Sequence, residues 1–465
     1  MEYMVQKFKL SALLIAGLAT SAQANIGPTF GFGPHAASLA GATVASPQLG
    51  FASAINPAGL ETPDSQRLHF STGAIFMHPE FEPITGVVIE NNYVSDKTPP
   101  RYGEVDTNYR DTLGQLLGLS YVLDPESWRW TLGVTAFVPT DSIAALDSGE
   151  AFQPEYVLHR SRTQRPQVDF GFSARPSASW SIGFGLRLAY SISGTGSLMV
   201  QTNSSQPSSL RLSSSLKPKW VPFFGLNFLA SEGTRLGLVI RAPYKSQQTL
   251  NLRSGARLLG TLPALDINLA ASAPIFYDPL SIELGWTQDL SAIGAKLYLQ
   301  VDYEAWSRYR PPALAIDSTE TANCSGSACS GGVVVSGSKN PSAAFKDLWV
   351  PRIGIELTSL PLTPRVGYSY RGSILKALPS GSGNLLDPPR HIFAGGLTVP
   401  FEHFLHLPVA WSLDLAAQYH WLTHQTVTKT SGNEGGSLSD SKIGAPGYSA
   451  GGHILGGSIA MNFSW

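Results

Sequence analysis

Arg187, Arg241, Asp302, Glu304, Arg352, Glu356, Arg365, Arg371, Asp414 and His420 share one property: each falls on the polar side of a run in which apolar and polar residues alternate. Mixed signs on one face point to mutual neutralisation, because a charge taken out of water needs a partner. Arginines so placed can also hold a ligand carboxylate through charge-assisted hydrogen bonds. By parity the candidates are Arg187, Arg241 and Arg371; Lys346 joins them by its position just ahead of a run. Catalytic arrangements were sought and not found: there is no Gly-x-Ser-x-Gly, no His-Glu-x-x-His and no phosphate-binding glycine loop. His420 and His424 would share one strand face about 13 Å apart, and His403 and His406 fall in a short turn. A chain that is not an enzyme, with no cofactor and no metal, is expected.

The elements that carry these residues read as β-strands. Trp180, Ile182, Phe184, Leu186, Leu188, Tyr190 and Ile192 fall on one face, with Ser181, Gly183, Gly185, Arg187, Ala189 and Ser191 opposite. The run Trp411–Trp421 repeats the pattern, as successive side chains of a strand point to opposite faces. On this basis fourteen strands are placed near 66–77, 113–123, 128–138, 166–174, 180–200, 218–229, 234–250, 263–288, 295–307, 348–358, 363–371, 390–400, 409–424 and 453–465. The eighth carries Pro274 and Pro279, which cannot donate ladder hydrogen bonds, so a bend, bulge or break is expected there. The gaps alternate long and short along the whole chain, as in an up-and-down outer-membrane barrel with short periplasmic turns and long external loops. A Greek-key sandwich would not put every long connection at one end. The predicted fold is therefore all-β: a 14-stranded antiparallel transmembrane β-barrel, both termini periplasmic. The last strand, ending on the aromatic Trp465, would close the sheet against the first.

Composition agrees. Charged residues make up 14% of the chain, against about 25% in soluble domains, and no later segment has the apolar length of a membrane-spanning helix. Residues 1–24 fit a secretory signal: Lys7 and Lys9, then the apolar run from Leu10 to Ala19, then Ala22-Gln23-Ala24. Its removal takes two lysines and one glutamate, moving the net charge from -1 to -2, which gives no support for nucleic-acid binding. Cys324 and Cys329, five residues apart in the polar stretch of the gap 308–347, are expected to form a small disulfide ring. The basic stretch His159–Arg165 reads as a loop facing solvent or lipopolysaccharide. Gly31–Leu60, rich in Gly and Ala, has neither strand alternation nor a sustained helical stripe, and could be a leader loop or a plug. The domains expected are a signal at 1–24, an N-terminal hatch at 25–65 and the barrel at 66–465.

Ala37-Ser38-Leu39-Ala40-Gly41-Ala42 followed by Asn56-Pro57-Ala58-Gly59-Leu60 resembles the N-terminal segment of the long-chain fatty acid and hydrocarbon transporters of Gram-negative outer membranes (FadL/TodX type). Trp306-Ser307, Phe345-Lys346-Asp347 and Asp387-Pro388-Pro389-Arg390, in that order between strands, support the resemblance. Ser46-Pro47-Gln48 and Ser193-Gly194-Thr195 depart from the residues relatives carry there. The resemblance implies a monomeric barrel whose N-terminal segment folds inside as a hatch, with Asn56, Pro57 and Ala58 anchoring it. It implies passive uptake of long-chain fatty acids or similar hydrophobic molecules with lateral release into the membrane. Outer-membrane lipid, lipopolysaccharide and the barrel assembly machinery are the partners it implies. Aromatic or alkane hydrocarbons are the alternative cargo, and use of the barrel as an adhesin or receptor is the alternative role. Pro57 has no backbone N–H to give, so the Asn56 side chain is the group expected to hold that turn.

Overall fold

The structure, a computed structural model, describes residues 26–60, 67–90, 101–123, 129–140, 153–159, 165–201, 209–257, 264–309, 315–323, 334–336, 344–380, 383–401, 409–429 and 443–465. The expected signal at 1–24 and the cysteines Cys324 and Cys329 lie outside the described residues.

Fourteen staves form one closed antiparallel wall. They are β1 (Leu68–Phe81), β2 (Thr112–Leu123), β3 (Arg129–Pro139), β4 (Gln167–Arg175), β5 (Trp180–Gln201), β6 (Ser209–Ser231) and β7 (Thr234–Arg241, resuming as Tyr244–Arg257). Then follow β8 (Ala264–Asp278 and Ser281–Leu290), β9 (Ala295–Glu304), β10 (Leu348–Leu357), β11 (Thr363–Arg371), β12 (Arg390–Phe401), β13 (Ala410–Thr428) and β14 (Gly447–Ser464). Each stave pairs with the next, and β14 closes on β1, with Phe463 opposite Phe70 and Gly452 opposite Phe81. Closure removes the sheet edges everywhere except where β6 parts from β7.

Alternation sorts the side chains as the pattern requires. Leu284, Val366 and Phe393 are exposed on the outer face, while Asp169, Thr135 and Asp414 on the other face are fully buried. Aromatic pairs ring both ends of the outer face. Trp180–Phe228 and Phe401–Trp411 lie at the end of the short turns, with centroids 4.3 and 4.1 Å apart. Phe170–Trp220 and Tyr303–Trp349 lie toward the other end, at 5.9 and 5.0 Å. These are the two girdles of a membrane barrel. Among the described residues no helix is long and apolar enough to cross a membrane.

One expected irregularity and two departures from the expected strands have local causes. β8 breaks at Pro279-Leu280, and a register shift sits opposite Pro274, where ladder donors are missing. β6 begins at Ser209, and β7 runs on to Arg257, so most of what reads as loop at 201–217 and 251–262 is strand. The signal was present in Leu210, Leu212 and Leu216, alternating with polar residues. β13 carries one extra residue between Leu422 and Gln425; such a bulge reverses parity, so His420 is buried while His424 is exposed and meets Glu82. The two histidines do not share a face.

One seam interrupts the wall. β6 pairs with β7 only from Phe223–Arg241 to Ser231–Thr234, with one further bond from the Ala242 amide to the Pro222 carbonyl, 3.2 Å. Above it the two staves part: among the described residues β6 continues on β5 alone, and Gln248–Arg257 of β7 runs parallel to Ile192–Gln201 of β5.

Residues 26–60 fold inside the barrel as short turns: α1 (Ile26–Phe30), α2 (Gly33–Ser38), a 3-10 turn at Leu49–Phe51, α3 (Ala52–Ile55) and a second 3-10 turn at Pro57–Leu60. The wall meets this hatch through glycines. A Cβ on Gly118 would lie 1.9 Å from the Gly50 carbonyl oxygen, on Gly183 2.1 Å from the Ala58 nitrogen, and on Gly367 2.4 Å from the Leu39 carbonyl carbon. Small residues on both sides let two backbones approach. Gly225→Val, which puts a Cβ 2.1 Å from Asn56 Oδ1, should destabilise the refolded barrel by about 1–3 kcal/mol. Gly395→Val, whose Cβ has only the Arg365 carbonyl oxygen nearby at 3.8 Å, should not. Urea midpoints in detergent measure both, and equal midpoints would sink the close-packing account.

Candidate functional site

The small turns of the hatch leave many backbone groups without intrasegment partners, and buried ones must be satisfied. The wall supplies the partners. Gln418 Nε2 donates to the carbonyls of Phe30 (3.0 Å) and Ala37 (2.6 Å). The Val44 amide donates to Gln300 Oε1 at 3.0 Å, and Ser181 Oγ to the Ala58 carbonyl at 2.8 Å. Arg352 Nη1 donates to the Ala40 carbonyl at 2.7 Å, and Arg241 Nη2 to the Ile55 carbonyl at 2.5 Å. Ala40 and Gly41 both have positive φ, 51° and 84°. A Cβ on Gly41 would meet Arg352 Nη1 at 2.6 Å, so glycine there serves both the turn and the guanidinium. Asn56 is fully buried: its Nδ2 donates to the Val44 carbonyl at 2.8 Å, and its Oδ1 accepts from the Ala58 amide at 3.0 Å. It spans Pro57, which has no backbone N–H to give.

Above the hatch lies a cavity of about 160 Å³. Its floor includes Gly31, Phe32, Ala36, Val44 and Ile55, and its walls Val221, Phe223, Tyr277 and Trp306. Six arginines also line it, Arg165, Arg187, Arg241, Arg352, Arg371 and Arg390, with Asp278, Glu283, Asp302 and Glu304. Most are tied in pairs. Arg187 Nε meets Asp169 Oδ1 at 2.8 Å, Arg241 Nε meets Glu283 Oε1 at 2.8 Å, and Arg352 Nε meets Asp302 Oδ2 at 2.6 Å. Arg371 bridges Glu304 and Asp387 at 3.3 Å each, and Arg165 pairs with Asp278. Below the cavity, Arg365 joins Glu356 (2.7 Å) and Asp414 (3.7 Å).

Of the residues singled out in the sequence, Arg187, Arg241 and Arg371 line the cavity together. Lys346 does not: it is exposed in the segment ahead of β10, away from the cavity lining. The basic stretch is not solvated at its ends. His159 and Arg165 are buried and line the cavity: Glu155–Tyr156, just before His159, pairs with Leu385–Leu386, and Arg165 pairs with Asp278. Phe81 stacks on Tyr156 at 4.1 Å beside it. Burial pushes the Tyr156 hydroxyl well above its ordinary value, so it stays protonated and donates to the Gly451 carbonyl at 3.0 Å.

Sequence reasoning missed Arg390, His159, Arg165, Asp278 and Glu283 as a group. Arg390 closes Asp387-Pro388-Pro389-Arg390, but the start of β12, Arg390-His391-Ile392-Phe393, does not alternate cleanly, so parity could not orient it.

No protein-family model matches the chain, and no curated protein matches it. Solved structures do. The P. putida toluene transporter TodX is similar over 94% of this chain and 99% of that chain, with TM-score 0.52 and 14% identity. The Ralstonia pickettii toluene transporter TbuX is similar over 94% and 99%, with TM-score 0.50 and 12% identity. The fold is that of these barrels, and the resemblance to the FadL/TodX type extends over the chain's architecture.

Asn56→Ala removes a buried donor and acceptor together and should cost about 1–3 kcal/mol. The loosened hatch should raise ion conductance in planar bilayers. An unchanged urea midpoint with unchanged conductance would show that Asn56 does not anchor it.

Proposed function

We propose that this chain, which has the fold of the toluene-transporter barrels TodX and TbuX, carries small hydrophobic molecules passively across the outer membrane of a Gram-negative bacterium. The observation that carries the reading is the cavity of about 160 Å³ between a plugged lumen and a largely apolar wall. A plug held by the wall's own hydrogen bonds bars polar solutes. The apolar part of the pocket above it, Phe32, Val44, Ile55, Val221, Phe223 and Trp306, favours molecules that gain by leaving water. Pairing of the cavity's arginines with carboxylates keeps its charges from selecting a single ion.

The volume bears on the cargo. A cavity of about 150 Å³ holds one benzene-sized ring in another protein, and a long acyl chain is far larger. Size therefore supports ring-sized molecules over long-chain fatty acids as the resident ligand. The seam above Phe223–Arg241 supports lateral release, since Val221, Pro222, Phe223, Arg241 and Ala242 line the cavity at that point. A ligand leaving there enters lipid without returning to water. In this reading the barrel acts as a monomer, inserted by the barrel assembly machinery, with its long connections among lipopolysaccharide.

The seam gives a direct test. Pro222→Cys with Ala242→Cys, in a chain lacking Cys324 and Cys329, should close it when oxidised. Uptake of toluene into cells expressing the variant should fall at least tenfold and recover on reduction. Uptake undiminished by a verified cross-link rules out this exit, and no toluene or fatty-acid uptake above a barrel-free strain rules out the transport reading. Long-chain fatty acid as the better-transported cargo would overturn the size argument alone.

A further inference from the structure

The cavity's six arginines are matched by six carboxylates, four on the lining with Asp169 and Asp387 behind it, and the charges balance in number but not in geometry. Every other lining arginine has a carboxylate within 4 Å. Arg390 has none among the described residues. It is 4% exposed, lines the cavity, and its Nε is buried without a hydrogen-bond partner. Its side chain has one hydrogen bond, a long one of 3.4 Å from Nη1 to His159 Nε2.

The wall explains why no acid reaches it. Arg390 stands directly opposite Arg371 in the β11–β12 register. Arg371 takes both nearby carboxylates, Glu304 and Asp387. Glu304 is further engaged by Trp306 Nε1 at 2.5 Å, and Asp387 by the Ile374 amide at 2.7 Å. A buried guanidinium with unmade hydrogen bonds carries its desolvation cost without the return. A planar anion in the cavity would supply that return, because a carboxylate matches the guanidinium fork. Between the paired charges the lining carries Phe32, Val44, Ile55, Val221, Phe223 and Trp306, so the anion fits best as one end of a small ring whose body lies on those side chains.

We propose that the cavity binds a single-ring aromatic carboxylate, with Arg390 taking the carboxylate beside His159. The inference rests on the reading of this cavity as the ligand site, and narrows its cargo to an amphipathic acid. The group is a binding residue, and its partner is recognised by charge and size alone.

Calorimetry on the purified full chain tests it with benzoate as the probe, and with benzamide, toluene and inorganic phosphate for comparison. Benzoate should bind at least tenfold tighter than benzamide, its neutral isostere, and phosphate should not bind measurably. Arg390→Met should weaken benzoate at least tenfold and toluene by much less, with Arg390→Lys between. Equal affinity for benzoate and benzamide on the unaltered chain overturns the proposal, whether or not the variants fold. So does benzoate binding that is indifferent to Arg390→Lys and Arg390→Met. Phosphate binding as tight as benzoate overturns the ring component. Toluene binding without benzoate binding defeats this inference and leaves the transport reading standing. Benzoate binding without uptake in vesicles does the reverse.

Discussion

Everything in this molecule follows from the need to bury a backbone inside a barrel. A segment of small residues brings little apolar surface of its own, yet its amides and carbonyls cannot be left bare once water is excluded. The hatch has no helix long enough to satisfy itself, since its helical turns span only four to six residues. The wall therefore has to face inward with donors and acceptors. Gln300, Gln418, Ser181, Arg241 and Arg352 each reach a backbone group of the hatch. Two of these are arginines whose other nitrogen is already bound to a wall carboxylate. One guanidinium thus neutralises an acid of the neighbouring stave and terminates a turn of the hatch. That double use explains how so many charges can sit in one lumen with their fields largely neutralised.

Sterics supply the second half of the constraint. Hydrogen bonds of 2.5–3.0 Å between wall side chains and hatch backbone require the two layers to lie close, and close approach leaves no room for wall side chains in between. Glycines fill those places on adjacent staves: Gly183 opposite Gly225, Gly237 opposite Gly285, Gly354 opposite Gly367. Glycine weakens an isolated strand. In a closed barrel each stave is held on both sides, so the weakness is tolerated where the packing needs it.

How much of this the sequence disclosed depends on which interactions are local. The period of two is local, so the staves, their inward and outward faces and the rhythm of long and short connections were readable from runs such as Trp180–Ile192. Proline positions in β8 likewise announced a break before it was seen. The bulge in β13 was not readable, because one inserted residue between Leu422 and Gln425 leaves composition unchanged while reversing every later side chain. The glycines at 183 and 185 were visible on the polar face, but their purpose depends on Ala58 and on Phe223, which are distant in sequence. The cavity was the least legible. His159 and Arg165 read as solvated because their neighbours are polar, while the groups beside them are remote in sequence: Leu385–Leu386 against Glu155–Tyr156, and Asp278 against Arg165.

The same reasoning explains where function can reside in such a wall. A lumen packed by paired charges is nearly inert to ions, since each pair presents little net field to a visitor. The exceptions are the places where pairing or wall continuity fails. In the described residues two such failures border one cavity. One is the seam where β6 leaves β7 beyond Phe223–Arg241, and the other is Arg390, displaced from its acids by Arg371 in the neighbouring stave. The first relaxes the barrier between cavity and membrane, and the second gives the cavity one unmet polar demand. Because the hatch floors that cavity through Val44 and Ile55, and Ile55 is itself bonded to Arg241 beside the seam, displacement of the hatch and loosening of the seam are mechanically joined. Arg241 is the hinge of that connection: its carboxylate partner Glu283 fixes it to β8, so the hatch cannot move away from the seam without breaking a bond to a residue the wall holds in place.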